Sequence, residues 1–158
     1  MDAPEPAAVT RFKEAHSAAG GGGRVVILPE TVHTAVLAAE ALGCEVGAIA
    51  NSLLFDAGGA PALILTSGSH RVDLVTTAER IGVPTLKRAS PDFVRAHTSQ
   101  VIGGVSPLGH PSPVSTWLDV TLGQYDEIWA AAGHPAAVFS TTYDELLAMT
   151  GATAVEVD

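Results

Sequence analysis

The sequence predicts an α+β fold in which a mixed, largely antiparallel sheet is surrounded by helices in a single compact domain. Short apolar segments with strand-like patterns are interrupted by glycine and proline, and segments with helical spacing lie among them. Strands and helices follow one another without regular βαβ alternation, which is typical of α+β proteins. The 158 residues and the 47% hydrophobic content are sufficient for one sizeable core.

The first predicted element is a helix that is followed by a run of glycines. Residues 5–19 place apolar side chains at helical spacing. Four consecutive glycines, 20–23, end this helix and predict a flexible joint. We therefore expect an N-terminal helix with a glycine linker over 1–23 and a globular domain over 24–158.

The next predicted elements are a buried strand, a helix and a hairpin. Val25–Leu28 has the composition of a short buried strand. Thr31 is the predicted N-cap of a helix that ends at a glycine. From Val46 the apolar residues alternate as in a strand, and a glycine turn at 56–59 leads to a returning strand at 61–66, which predicts a hairpin.

The second half of the chain contains further helices and strands. Residues 71–81 predict a helix, and Ser90 with Pro91 predicts the N-cap and first position of another helix, which runs to about Thr98. The remaining predictions are strands at 115–118, 127–132 and 136–139, a helix over 143–149 capped by Thr141 or Thr142, and a final strand over 152–157.

Composition and charge exclude several classes of protein. The net charge of −9 argues against binding DNA or RNA by bulk electrostatics, because neutralising phosphates requires clustered Lys and Arg. Residues 71–100 carry a local balance of +2, so the rest of the chain carries −11. No apolar run approaches the ~20 residues of a membrane span, and the N-terminus lacks the positive charge of a secretory leader. We expect a cytoplasmic protein that does not bind membranes.

The sequence provides no support for a cofactor or a metal site. The single cysteine, Cys44, excludes an internal disulfide, and its apolar surroundings indicate a packing thiol. The six histidines lack the H-x-x-x-H spacing of metal ligands, and no glycine fingerprint for a nucleotide occurs. We therefore expect no cofactor and no metal.

The most informative segment is the loop that begins at Gly103. Three glycines, two prolines and a serine lie within the nine positions 103–111. Such a loop is stiff and presents N–H groups to a ligand, which suits binding a carbonyl or a ribose, or stabilising an oxyanion. The alternative is a tight connection between two strands.

Several blocks of sequence occur together with this loop in a characteristic order. They are the strand at 44–55, the strand at 62–67, the segment Gly103-Gly104-Val105-Ser106-Pro107, and Ala131-Ala132-Gly133 followed by 144–151. From about Val25 to Gly151 the chain resembles the YbaK/EbsC family, which is related to the editing insertion of bacterial prolyl-tRNA synthetases. The resemblance implies an aminoacyl-tRNA deacylase that acts in trans, removing a wrongly attached amino acid from tRNA, often tRNA-Pro.

The resemblance also implies which residues form the site. The pocket that holds the terminal adenosine and the aminoacyl ester would be lined by Gly103, Gly104, Val105 and Ser106. The N–H groups of Gly103 and Gly104 would stabilise the oxyanion. Asp119 matches an acidic pocket position and would bind the α-amino group, unless it is an ordinary strand-end aspartate. Gly133 matches a glycine beside the pocket.

Asn51 departs from the family pattern, because many members have a lysine at this position. Asparagine forms hydrogen bonds but cannot replace the positive charge. Three outcomes follow: a different substrate, compensation by His70, Arg71 or His110, or loss of editing in a protein that only binds. Hydrolysis of a small ester that is not tRNA is a further hypothesis.

The compensating residues have ordinary alternatives. His70 and Arg71 follow a turn that would present both to a phosphate, but the same residues could begin a helix. His110 would orient a water molecule or is a solvated loop residue. Because the chain is acidic, we expect weak affinity for free tRNA and a partner, a synthetase or an elongation factor, that holds the tRNA body.

Overall fold

The computed structural model describes residues 6–29, 32 and 34–158. Within these residues the helices are α1 Ala7–Ala18, α2 Ala35–Leu42, α3 Leu74–Ile81, α4 Pro91–Thr98 and α5 Tyr143–Thr150. The strands are β1 Val25–Ile27, β2 Ile49–Ala57, β3 Ala60–Ser67, β4 Lys87–Arg88, β5 Ser115–Asp119, β6 Ile128–His134, β7 Ala137–Thr141 and β8 Thr153–Val155. Short 3-10 helices occupy Val46–Ala48 and Val120–Gln124. No helix in this part of the chain is long and apolar enough to cross a membrane.

The described strands form one mixed sheet in the order β1-β7-β6-β2-β3-β5-β8, and β4 pairs with β2. The β1–β7, β6–β7, β2–β3 and β2–β4 pairs are antiparallel. The β2–β6, β3–β5 and β5–β8 pairs are parallel. The predicted α+β fold with a mixed sheet and surrounding helices is therefore confirmed.

Helix α1 packs on the same core as the rest of the chain. Val9 and Phe12 are fully buried, and the Phe12 ring lies 4.5 Å from the ring of Phe139 on β7. A Cβ on Gly23 would overlap the backbone of Ser140. Glycine is therefore required at this point of the predicted linker by close packing, not only by flexibility.

Several local predictions are confirmed. Strands β2 and β3 form the predicted hairpin in register from Ala50–Ser67 to Ala57–Ala60. The Ser90 hydroxyl accepts from the Phe93 N–H at the start of α4, and Pro91 occupies the first turn. Of the two caps proposed for α5, Thr142 is the one used.

Other local predictions are wrong. Helix α2 begins after Thr34, whose hydroxyl accepts from Leu37 N–H, while the predicted cap Thr31 lies outside the described residues. Helix α3 begins at Leu74 because Asp73 caps it, not at residue 71. The alternating apolar residues at 46–48 form a 3-10 helix, and the short strand β4 was not predicted.

Candidate functional site

The sheet splits where β2 and β6 diverge. Strand β2 pairs with β6 only at Ile49 and Ala50, and next pairs on that side with β4, at Phe55 and Asp56. Between these points the edge of β2 over 51–54 has no neighbouring strand among the described residues. A cleft of about 800 Å³ opens at this split. Because peptide groups alternate in direction along a strand, those of Ser52 and Leu54 face the open side.

The cleft wall is mostly apolar with a small set of polar groups. Its apolar side chains come from α2, β2, α4 and β6 and include Ala35, Ala38, Leu53, Leu54, Val94 and Ala130. Its polar side chains are Thr34, Asn51, Ser52, His70, Arg71 and Arg88. A mostly apolar cleft with a few convergent polar groups is typical of a small-molecule site.

Two polar side chains of β2 in the cleft wall have no protein partner. The Asn51 side chain is half-buried and makes no hydrogen bond with the described residues. The Ser52 hydroxyl is buried from solvent and also has no hydrogen-bond partner there. Asn51 is partly accessible in the cleft and is therefore open to a ligand, whereas the Ser52 hydroxyl has no accessible surface through which a ligand could reach it.

Two arginines at the cleft are exposed and carry unneutralised charge. Arg71 precedes α3, and Arg88 lies in β4, opposite Phe55. Neither forms an ion pair within residues 6–29, 32 and 34–158. Arg71 is among the site residues expected from the sequence and Arg88 is not, although the basic balance of residues 71–100 is a signal that points to Arg88.

The glycine loop contributes only some of its residues to the cleft. Gly103 has φ +87° and lines the cleft with Val105. The Gly104 N–H donates to Val101 O at 3.0 Å, and a Cβ on Gly104 would lie 2.7 Å from the Pro135 nitrogen. The amides of Gly103 and Val105 have no acceptor in the described part of the chain. The loop amides without an acceptor in the described residues thus include Gly103 and Val105 but not Gly104, whereas the expected pair of donors is Gly103 with Gly104.

Ser106 and His110 stabilise the glycine loop through hydrogen bonds outside the cleft wall. Ser106 is fully buried, its N–H donates to Gln100 Oε1 at 2.6 Å, and its hydroxyl donates to Leu108 O at 2.6 Å. His110 Nε2 donates to Ser106 O at 2.7 Å. Burial lowers the pKa of His110, and this hydrogen bond opposes the effect. The structure does not bring either residue into the cleft wall.

Asp119 reaches the cleft only through His70. Asp119 is fully buried, and its Oδ2 accepts from Ser67 N–H at 3.0 Å and lies 2.9 Å from His70 Nδ1. Its Oδ1 accepts from Thr121 N–H at 3.0 Å. The carboxylate therefore orients the imidazole of His70, which lines the cleft, and does not itself face a ligand.

Gly133 and Cys44 lie outside the cleft wall. Gly133 has φ +98°, and a Cβ there would lie 2.7 Å from Ala8 O, so this glycine admits α1 against β6. Cys44 is partly buried beside the core, and burial raises the pKa of its thiol. No group of three or more metal-ligating side chains occurs within the described residues.

Comparison with known proteins identifies the family to which this chain belongs. A family model described as an aminoacyl-tRNA editing domain matches residues 29–149. The chain belongs to this family. The resemblance to YbaK-type proteins that the sequence predicts is therefore confirmed, and the cleft, the glycine loop and Asn51 all lie within the editing domain.

Individual relatives of this editing domain support the same assignment. A solved structure described as a candidate trans-editing enzyme for prolyl tRNA synthetase is 41% identical, covers 98% of this chain and 99% of its own, and superposes with a TM-score of 0.92. The structure of hypothetical protein APE2540 is 25% identical, covers 93% and 98%, and has a TM-score of 0.84. Protein YwhH of Bacillus subtilis (strain 168) is 31% identical over 110 residues, which is 69% of each chain.

Proposed function

We propose that this editing domain hydrolyses the ester of a mischarged aminoacyl-tRNA in the cleft between β2 and β6. The observation that carries the proposal is that Gly103 and Val105, whose amides have no acceptor among the described residues, line the same cleft as Asn51, whose side chain makes no hydrogen bond there. The solved relative described as a candidate trans-editing enzyme for prolyl tRNA synthetase supports tRNA-Pro as the substrate and action in trans.

The glycine loop supplies the electrostatic part of the reaction. Attack on the ester carbonyl builds negative charge on its oxygen, and the amides of Gly103 and Val105 would donate to that oxyanion. One such donor contributes about 3–4 kcal/mol to transition-state stabilisation where this has been measured. The ester is already activated and has the ribose 2′-hydroxyl beside it, so a nucleophilic serine or cysteine is not required.

The rim of the cleft suits the phosphates of the acceptor end. Arg71 and Arg88 carry exposed positive charge without counter-ions among the described residues, and arginine binds phosphate through paired N–H groups. They would supply the positive charge that a lysine at position 51 provides elsewhere in the family. Asn51 would then hydrogen-bond to the ribose or the ester through its amide.

Release of the amino acid from a panel of mischarged tRNAs tests the proposal. Ala-, Cys- and Ser-tRNA-Pro are incubated with the protein, and free amino acid is measured. Gly103→Ala adds a Cβ at φ +87° in the cleft wall, and we expect its rate to fall about 10–100-fold through displacement of the loop.

Gly59→Ala is the matched control for this variant. Gly59 has φ +100° and free space around its Cβ, as Gly103 does, but it lies in the β2–β3 turn. It carries the same left-handed backbone penalty, about 1–2 kcal/mol, without touching the cleft. Equal rates for the two variants would contradict the assigned role of the loop.

The alternative of binding without hydrolysis, which the sequence raises because of Asn51, is not favoured by the family match or by the related trans-editing structure. Under that alternative no member of the panel is hydrolysed, while charged tRNA still binds. Asn51→Lys would then restore release of the amino acid. If the panel is hydrolysed by the wild type, this candidate is excluded.

We further propose that the domain acts in the cytoplasm beside a synthetase or an elongation factor that holds the tRNA body. The net charge of −9 supports this arrangement, because an acidic protein has little affinity of its own for the phosphates of the tRNA body. Tight binding of uncharged tRNA by the isolated protein at physiological salt would contradict it.

A further inference from the structure

His70 and Asp119 form a pair that connects the protein interior to the cleft. His70 Nδ1 lies 2.9 Å from Asp119 Oδ2, and the side chain of Asp119 is 1% exposed. The side chain of His70 is 21% exposed and forms part of the cleft wall. Nδ1 of the imidazole is thus held by a buried carboxylate, whereas the carboxylate beside Nε2, that of Asp158, is exposed.

The surroundings of Asp119 determine which nitrogen carries the proton. The N–H groups of Ser67 and Thr121 donate to Oδ2 and Oδ1, each at 3.0 Å. Both carboxylate oxygens therefore act as acceptors, and His70 Nδ1 must be the donor in the third contact. In the neutral ring this leaves Nε2 as the basic nitrogen.

The group nearest to His70 Nε2 leaves it available. Asp158 Oδ2 lies 3.5 Å away, which is too long for a strong hydrogen bond, and its side chain is 57% exposed. Arg80 holds this segment on α3 by donating to Glu156 O at 2.8 Å and to Asp158 O at 2.9 Å. Nε2 therefore has the Asp158 carboxylate 3.5 Å away and no closer hydrogen-bond partner among the described residues.

We propose that His70 is the proton-transfer residue of the hydrolysis and that Asp119 is its positioning residue; this inference rests on the proposed function. As water attacks the ester carbonyl carbon, Nε2 takes a proton from it and a carbon–oxygen bond forms. As the intermediate collapses, the bond to the ribose oxygen breaks and Nε2 returns the proton to that oxygen. The ring ends neutral, and water is the co-reactant.

Two substitutions at His70 distinguish a role in proton transfer from a purely structural role. In His70→Asn the amide nitrogen lies near the former Nδ1 and still donates to Asp119, but no atom remains at Nε2. In His70→Gln a polar group lies near Nε2 but is not a base. A purely structural role predicts that His70→Asn retains activity, whereas proton transfer predicts that both variants lose it.

The measurement is the single-turnover rate of amino-acid release from the tRNA that the panel identifies. We expect both variants to lose about 100-fold or more, with an unfolding midpoint for His70→Asn close to that of the wild type. His97→Gln, in α4 and outside the cleft wall, is the matched control and should retain the wild-type rate.

The outcomes distinguish the inference from the proposed function. A wild type that hydrolyses no member of the panel contradicts the proposed function, and the inference with it. A wild type that is active while His70→Asn stays within about threefold of it overturns the inference and leaves the proposed function intact.

Discussion

Removing the carboxylate of Asp119 should be one of the most damaging changes to the stability of this protein. In Asp119→Ala the buried Ser67 N–H, the partly buried Thr121 N–H and His70 Nδ1 lose their acceptor. A buried donor left without a partner costs about 1–3 kcal/mol. Taking about 2 kcal/mol for the fully buried Ser67 donor and about 1 kcal/mol for the partly buried Thr121 donor gives a loss of about 3 kcal/mol. For a chain of this length that corresponds to a fall in Tm of roughly 6–12 °C.

Urea unfolding followed by tryptophan fluorescence measures this loss, since Trp117 and Trp129 lie in strands of the sheet. Ser90→Ala is the reference variant, because it removes only the N-cap of α4, which is typically worth about 1 kcal/mol. A loss for Asp119→Ala no larger than that of Ser90→Ala would refute the argument that Asp119 is a buried acceptor for the two amides.

Three further predictions concern the loop, the helix contact and the rim. Gly133→Ala should lower the free energy of unfolding by about 1–3 kcal/mol through its contact with Ala8, with the hydrolytic rate of the folded protein unchanged. Because burial lowers the pKa of His110, the unfolded chain binds a proton first as the pH falls below about 6.5, so stability in urea should decline there; His110→Gln should reduce this decline. Arg88→Ala should raise KM for charged tRNA and weaken its salt dependence, whereas Arg95→Ala, outside the cleft wall, should not.

The elements that sequence reasoning located correctly are those with strong local signals. Ser90 and Pro91 act through their own hydroxyl and ring, and the glycine turn of the β2–β3 hairpin acts through a few neighbouring residues. The start of α2 was misplaced because Thr31 and Thr34 are equally good caps in sequence. The alternation from Val46 was assigned to a strand because a single 3-10 turn has no distinct apolar period.

Within the site, the sequence was a better guide to which segments line the cleft than to what each residue does there. Gly103, Asn51, His70 and Arg71 do line one cleft, although they are far apart in the chain. The use of the Gly104 amide in a turn to Val101 could not be foreseen, because it depends on the backbone conformation of the loop.

Composition, capping residues, the hairpin turn and the family resemblance were accessible from the sequence because each depends on residue type and short spacing. The tertiary structure alone decided that β2 and β6 separate after Ala50, and that Arg88 joins the rim through its pairing with Phe55. It also placed Asp119 beneath His70, across 49 positions of the chain. Strand pairing and burial bring such groups together, and neither is a property of local sequence.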